Sequence, residues 1–196
     1  MAAVRSPRIT RESAGYGSVA HLRAPAHREL AVLWLALAPS VASPFLPHYV
    51  GMLDVPPEFK MHRYLTQGEA ERFIPPDLQA QESTRSAYQA FKRLFYLTCE
   101  HYRKFLAEVN EALEAFEGRL LANQESVERT ALRLFQAQED ELARRYLTYY
   151  SNTEALEGMR LAEALAASLE ARTKLLFGIR APNGKSDGGI VHCREP

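Results

Sequence analysis

With 24 basic and 24 acidic residues among 196, the chain carries no formal net charge, which excludes the overall basic excess of a nucleic-acid-binding protein. The length suits one domain with extensions. Its two cysteines, Cys99 and Cys193, form no CxxC or other metal-spaced set, so one bridge at most, and no disulfide framework, is expected.

Residues 1–28 form a basic arm, read as extended or partly ordered. Arg5, Arg8, Arg11, Arg23 and Arg28 stand against the single carboxylate Glu12, with Ser6, Ser13 and Ser18 between them. An arginine-rich, serine-containing, acid-poor start reads as an organelle-targeting segment, most often mitochondrial, or as a basic arm. The first apolar run begins too late for a secretory signal. Gly15-Tyr16-Gly17-Ser18-Val19-Ala20 spells G-x-G-x-x-A, but a dinucleotide fingerprint follows a strand and opens a helix. Here it follows an Arg/Ser-rich stretch with no alternating β pattern, and the expectation is a glycine turn.

Residues 29–53 are the apolar segment. From Leu30 to Leu53 the chain reads LAVLWLALAPSVASPFLPHYVGML, without a charge. About twenty such residues cross a hydrocarbon core of ~30 Å as a helix. Trp34 and Tyr49 suit the interfaces, and the preceding arginines would keep the N-terminus on the cytoplasmic or matrix side. Pro39, Pro44 and Pro47 interrupt the run, so two readings stand. One is a membrane span or membrane-embedded hairpin arm. The other is a buried docking segment, with a short helix from Arg28 to Ala38 followed by an extended proline-rich strand. On either reading the contact residues are Leu30, Leu33, Trp34, Leu37, Pro39, Phe45 and Tyr49.

Residues 54–77 are a proline-rich connector, opened by Pro56-Pro57 and closed by Pro75-Pro76. Within it Thr66-Gln67-Gly68-Glu69 has capping-box spacing and predicts a short helix near 67–73. Residues 78–177 are the helical domain, rich in strong helix formers. Tyr88, Phe91, Phe95, Thr98, Tyr102, Phe105 and Val109 recur at steps of three and four, continued by Leu113, Phe116 and Leu120, which places them on one helix face. Val127, Ala131, Leu134, Gln138, Leu142, Tyr146 and Tyr149 continue at helical spacing. Ser151-Asn152-Thr153-Glu154 reads as a stop and a capped restart, and Gly178 suits the end of the last helix. One helix over 78–150 would be ~110 Å long; a turn near Asn123 would instead fold it into a hairpin completed to a three-helix bundle. Residues 178–196 read as an irregular tail. The expected fold is all-α: an apolar membrane-embedded or docking segment, a connector, and long amphipathic helices.

No motif carries chemistry. Cys99-Glu100-His101 and His192-Cys193 contain zinc-binding residue types, but residues two apart on a helix point in different directions. None of the six histidines has a carboxylate three residues before it, as a di-iron bundle requires. HExxH and the P-loop are absent, and prolines oppose a regular helix through Glu58 and His62. No catalytic residue, cofactor ligand or metal ligand is assigned, and no small-molecule substrate or nucleic acid is expected. The stripe Tyr88, Phe91, Phe95, Tyr102, Phe105, Val109 and Phe116 reads first as an interface for a partner helix, since aromatics and arginine are enriched in interface cores, and second as the core of a self-contained bundle.

This layout resembles the single-span accessory subunits of mitochondrial inner-membrane oxidative-phosphorylation complexes. The resemblance is one of architecture, covers the chain loosely and rests on no family motif. It implies a non-catalytic structural or assembly subunit in the mitochondrial inner membrane, with lipid and other subunits of a large complex as partners. A peripheral-stalk or dimer-interface subunit of an ATP synthase is one version, and a respiratory-chain accessory subunit is the other. The alternatives are a soluble helical adaptor that docks through residues 29–53, and an enzyme whose site is assembled from dispersed residues.

Overall fold

The structure, a computed structural model, describes residues 16–22, 27–60 and 85–178. The chain is mostly helical with one small sheet. Strands β1 (Tyr16–His21), β2 (Val32–Leu37) and β3 (Leu46–Tyr49) form an antiparallel sheet in the order β1-β2-β3. Val19 lies opposite Trp34, and Trp34 opposite Pro47. Three helices follow: α1 (Ala87–Glu100), α2 (Tyr102–Gln136) and α3 (Asp140–Phe177).

The apolar segment therefore does not form the expected span, nor a helix over Arg28–Ala38. Leu30, Val32, Trp34, Ala36 and Ala38 are all buried while Leu33 is exposed. That two-residue period belongs to a strand, whose side chains alternate between faces. Pro39 and Pro44 fall in the link between β2 and β3, and Pro47 lies on β3, an edge strand, where proline is tolerated. Among the described residues no helix is long and apolar enough to cross a membrane. The glycine-turn expectation is corrected too: Tyr16–Ala20 of the motif lie in β1, paired with β2, and Gly15 lies outside the described residues. The expectation of an all-α fold fails at this sheet.

The helices break elsewhere than at the expected turns. Ser86 caps α1 by accepting from the Gln89 amide. His101, with φ −131° and ψ 50°, separates α1 from α2. α2 then runs through Asn123 without a turn for 35 residues, about 52 Å. The reversal comes at 137–139, where Gln138 takes a left-handed φ of 63°. There the Ala137, Gln138 and Glu139 amides donate back to the carbonyls of the last turn of α2, satisfying the helix end. α3 is 38 residues long, about 57 Å, and it passes through Ser151–Glu154 without stopping. Ser151 and Glu154 are both buried, so packing overrides their capping preference. Gly178, at φ 77°, ends α3, as its sequence position predicts.

α2 and α3 form an antiparallel hairpin. Arg172 of α3 pairs with Glu108 at the open end, and Arg119 of α2 pairs with Glu154 nearer the turn. α1 lies along the open half, parallel to α3, through Arg85–Glu163 and Arg93–Glu170. The sheet takes the corresponding place at the turn half. Leu46 of β3 sits on Gly158 of α3, where an added Cβ would lie 2.9 Å from Leu46 Cδ2. One end of the molecule is thus a three-helix bundle and the other a helical hairpin clad by a sheet. A single core joins Trp34, Leu46 and Tyr49 of the sheet to Phe91, Phe105, Leu120, Leu147 and Met159 of the helices.

The connector is described only to Lys60, with a single 3-10 turn at Pro57–Phe59. The helix expected near 67–73, His62, His192, Cys193 and most of the basic arm lie outside the described residues.

Candidate functional site

The residues expected to meet lipid or partners lie largely inside the protein. Leu30, Trp34, Pro39 and Tyr49 are buried, Leu37 and Phe45 are half-buried, and Leu33 is exposed. In the aromatic stripe Phe91, Phe95, Phe105 and Val109 are buried and Phe116 is half-buried; Tyr88 and Tyr102 are exposed at its margin. Apart from Leu33, Pro39, Tyr88 and Tyr102, these two sets of side chains lie in or against the same core.

Ion pairs and buried hydrogen bonds pin the sheet to the hairpin. Arg144 of α3 donates from Nε and Nη2 to the two carboxylate oxygens of Glu29, both at 2.7 Å. That hydrogen bond holds the Glu29 carboxyl below its ordinary value, against the opposing effect of burial. The Phe45 amide donates to Glu117 at 2.8 Å, and burial pushes the Glu117 carboxyl up. Tyr49 donates to Glu128, which also accepts from Gln124 at 2.8 Å. Arg119 grips Glu154 with two bonds of 3.0 and 2.6 Å. Beside them the Tyr150 phenol is pushed up to about 12, first by burial and then by Glu154. Apart from the Tyr150 hydroxyl, which is buried without a hydrogen-bond partner among the described residues, these groups hold residues 29–49 to α2 and α3 or brace the groups that do, which is structural work.

Among the described residues no group of three or more His, Cys, Asp or Glu side chains is arranged to hold a metal. Cys99 is buried and is not a free thiol. His101 stacks on Phe177 at 3.8 Å between ring centroids, closing the open end of the bundle.

Among the described residues, the outer face of α3 is one exposed apolar surface, and Tyr16, Val19 and Leu22 at and after β1 form another. Leu142, Tyr149 and Leu156 recur at every seventh residue on that side of α3, with Leu156 half-buried and packed against the core. Tyr149 is 74% exposed and Leu142 51%. They flank a shallow groove of about 430 Å³ lined by Leu53, Arg145, Thr148, Tyr149, Asn152, Thr153 and Leu156. Its far wall is built by the segment after β3: the Leu53 amide donates to Thr148 Oγ1 at 2.8 Å, and Thr148 donates to the Arg144 carbonyl at 2.7 Å. Leu53 is held there 58% exposed. At the other end of α3, Leu175, Leu176 and Phe177 are exposed. The periodicity of the sequence groups Leu142 and Tyr149 with the core stripe of the preceding helix; the structure turns them outward. The signal that separates them is that α3 carries apolar residues all round, so a second stripe remains after the core is filled.

Compared with known protein families, curated proteins and solved structures, the chain matches none.

Proposed function

We propose that this protein is a non-catalytic structural or assembly subunit that uses the outer face of α3 to bind neighbouring protein in a larger assembly. The observation that carries this reading is the second apolar stripe of α3. Among the described residues nothing covers Leu142, Tyr149 and Leu175, although the core-facing side of the helix is already filled. Exposed apolar patches with polar rims mark interaction sites, and tyrosine and arginine are enriched at them. The rigid hairpin, braced at one end by α1 and at the other by the sheet, suits a bracket that holds such a face over tens of ångströms.

The arginine-rich, acid-poor start of the chain supports a mitochondrial setting, and an inner-membrane oxidative-phosphorylation complex as the assembly served. Both the ATP synthase stalk or dimer-interface version and the respiratory-chain version belong to this proposal. Because β2 and β3 take up the apolar run, attachment by protein contacts replaces attachment by a span. The second reading, a helical adaptor outside any membrane complex, draws on the burial of most of residues 29–53, with docking then falling to α3 rather than to that segment.

The test is the native mass of the particle carrying the chain after fractionation in mild detergent, with carbonate extraction alongside. The proposal expects co-isolation with other subunits in a large particle. Recovery of the chain free of other proteins, without detergent, would refute it. Recovery with partners outside the membrane fraction selects the adaptor.

A further inference from the structure

Cys99 lies in the last turn of α1, one residue before the helix ends at Glu100. Its side chain is 3% exposed and belongs to the core that holds Phe91, Phe95 and Phe105. It is bonded in a disulfide. A disulfide needs a second sulfur, and the sequence offers one other cysteine, Cys193. The bond is present in a single chain, so no second copy supplies the partner.

The fold brings the start of the C-terminal tail to the same place. His101, two residues after Cys99, stacks on Phe177, the last residue of α3, with ring centroids 3.8 Å apart. The chain leaves α3 there, at Gly178. Roughly 15 residues lead from Gly178 to Cys193 and reach up to ~50 Å when extended. Chain length therefore does not oppose a return to Cys99.

We infer that a Cys99–Cys193 disulfide staples the tail to the open end of the helical bundle, and that the chain works in a compartment where thiols are oxidised. The closed loop of about 95 residues holds all of α2 and α3, and closing so long a loop removes much of the freedom of the unfolded chain. Forming the bond takes two electrons and two protons from the two thiols. The acceptor is a second disulfide, of a small molecule or a protein, which ends as two thiols. One cysteine thiolate attacks it, forms a mixed disulfide and releases the first thiol; the other thiolate then attacks the chain's own bound sulfur and expels the second. Burial of Cys99 shields its sulfur from outside thiolates, which makes the bond structural rather than a switch. Such bonds are rare where glutathione and thioredoxin keep thiols reduced. In the mitochondrial setting proposed above this selects the intermembrane space over the matrix, but the staple itself rests neither on that setting nor on docking through α3.

The test starts from the native chain, with N-ethylmaleimide added before lysis. The chain is denatured, digested with trypsin without reduction and analysed by mass spectrometry. The peptide Leu94–Arg103 is expected joined to Ser186–Arg194, and reduction should separate them. Both peptides carrying N-ethylmaleimide, or Cys99 joined to anything but Cys193, overturns the inference. Thermal unfolding of the purified oxidised chain against Cys193→Ser reads the contribution of the staple, and this substitution leaves the core residue Cys99 in place. The melting temperature should fall by roughly 5–15 °C. Wild type under reductant should melt with the variant, while the variant ignores reductant. Equal melting temperatures overturn the inference as well. A linked native chain recovered free of other proteins leaves the staple standing and sinks the docking proposal.

Discussion

Gly158 and Gly118 offer one substitution with two outcomes. Both lie inside long helices, where replacing glycine by alanine stabilises by about 1 kcal/mol through helix propensity alone. At Gly118 an added Cβ meets nothing within 4 Å, so Gly118→Ala is expected to realise that gain. At Gly158 the same methyl lies 2.9 Å from Leu46 Cδ2, 3.4 Å from Pro44 Cγ and 3.5 Å from Phe116 Cζ. Leu46 is fully buried and cannot swing into solvent, so β3 and its preceding link must move. Overpacking of this kind costs about 1–3 kcal/mol. The propensity gain is common to both sites and cancels in the comparison, so Gly158→Ala should be less stable than Gly118→Ala by about 1–3 kcal/mol. Urea unfolding followed by far-UV circular dichroism reads the difference, with an unchanged slope confirming that stability alone has moved. Equal stabilisation by the two substitutions would show that Pro44–Leu46 does not dock on α3, and the placing of the apolar segment inside the fold would be wrong.

Trp34 is the single tryptophan and is buried among the helices. Its emission should be blue-shifted in lipid-free buffer and should shift to the red in the same transition that melts the helices, and Trp34→Ala should cost about 3–5 kcal/mol; separate transitions would refute the common core. Tyr149→Ala, on the exposed face, should change stability by less than about 0.5 kcal/mol in the same assay. Arg144 holds the Glu29 carboxyl below its ordinary 4.5, so the contribution of this pair is present above that pH and is lost as pH falls through the lowered value. Glu29→Gln should therefore lower stability at neutral pH and flatten the acid limb of a stability–pH curve; an unchanged acid limb would count against the clamp. Tyr150 keeps its proton to about 12 against an ordinary 10.0. The unfolded chain releases that proton first, so stability falls between these pH values, and Tyr150→Phe should remove that part of the alkaline slope and the last-titrating phenol in an ultraviolet titration.

The candidate site was only partly legible. The spacing of Leu142 and Tyr149 is visible in the chain, but every apolar residue at helical spacing looks alike until the neighbours are placed. Leu53 lies outside any helix, and no periodicity links it to residues almost a hundred positions later. Only the Leu53–Thr148 hydrogen bond makes the two one groove. Trp34 and Phe105 show the reverse case: both look like contact residues for other molecules, and both are buried in one core of this chain.

The sequence alone placed a helical domain over 78–177 and a three-four stripe through Phe91, Phe95, Phe105 and Val109, because propensity and period are local; that these four pack inside the protein rather than on a partner came from the structure. The sequence also set the end of α3 at Gly178, since few other residues take that backbone conformation. The tertiary structure decided the rest. The strand alternation of Leu30, Val32, Trp34 and Ala36 was hidden because the intervening residues are apolar as well, and only helices lying across one face show which residues are inside. The reversal at Gln138 carries no glycine or proline, and Ser151–Glu154 carries a stop signal that burial and Arg119 override. Where a helix turns, and what an oily segment touches, are settled by contacts between residues far apart in the chain, and a local pattern holds no record of them.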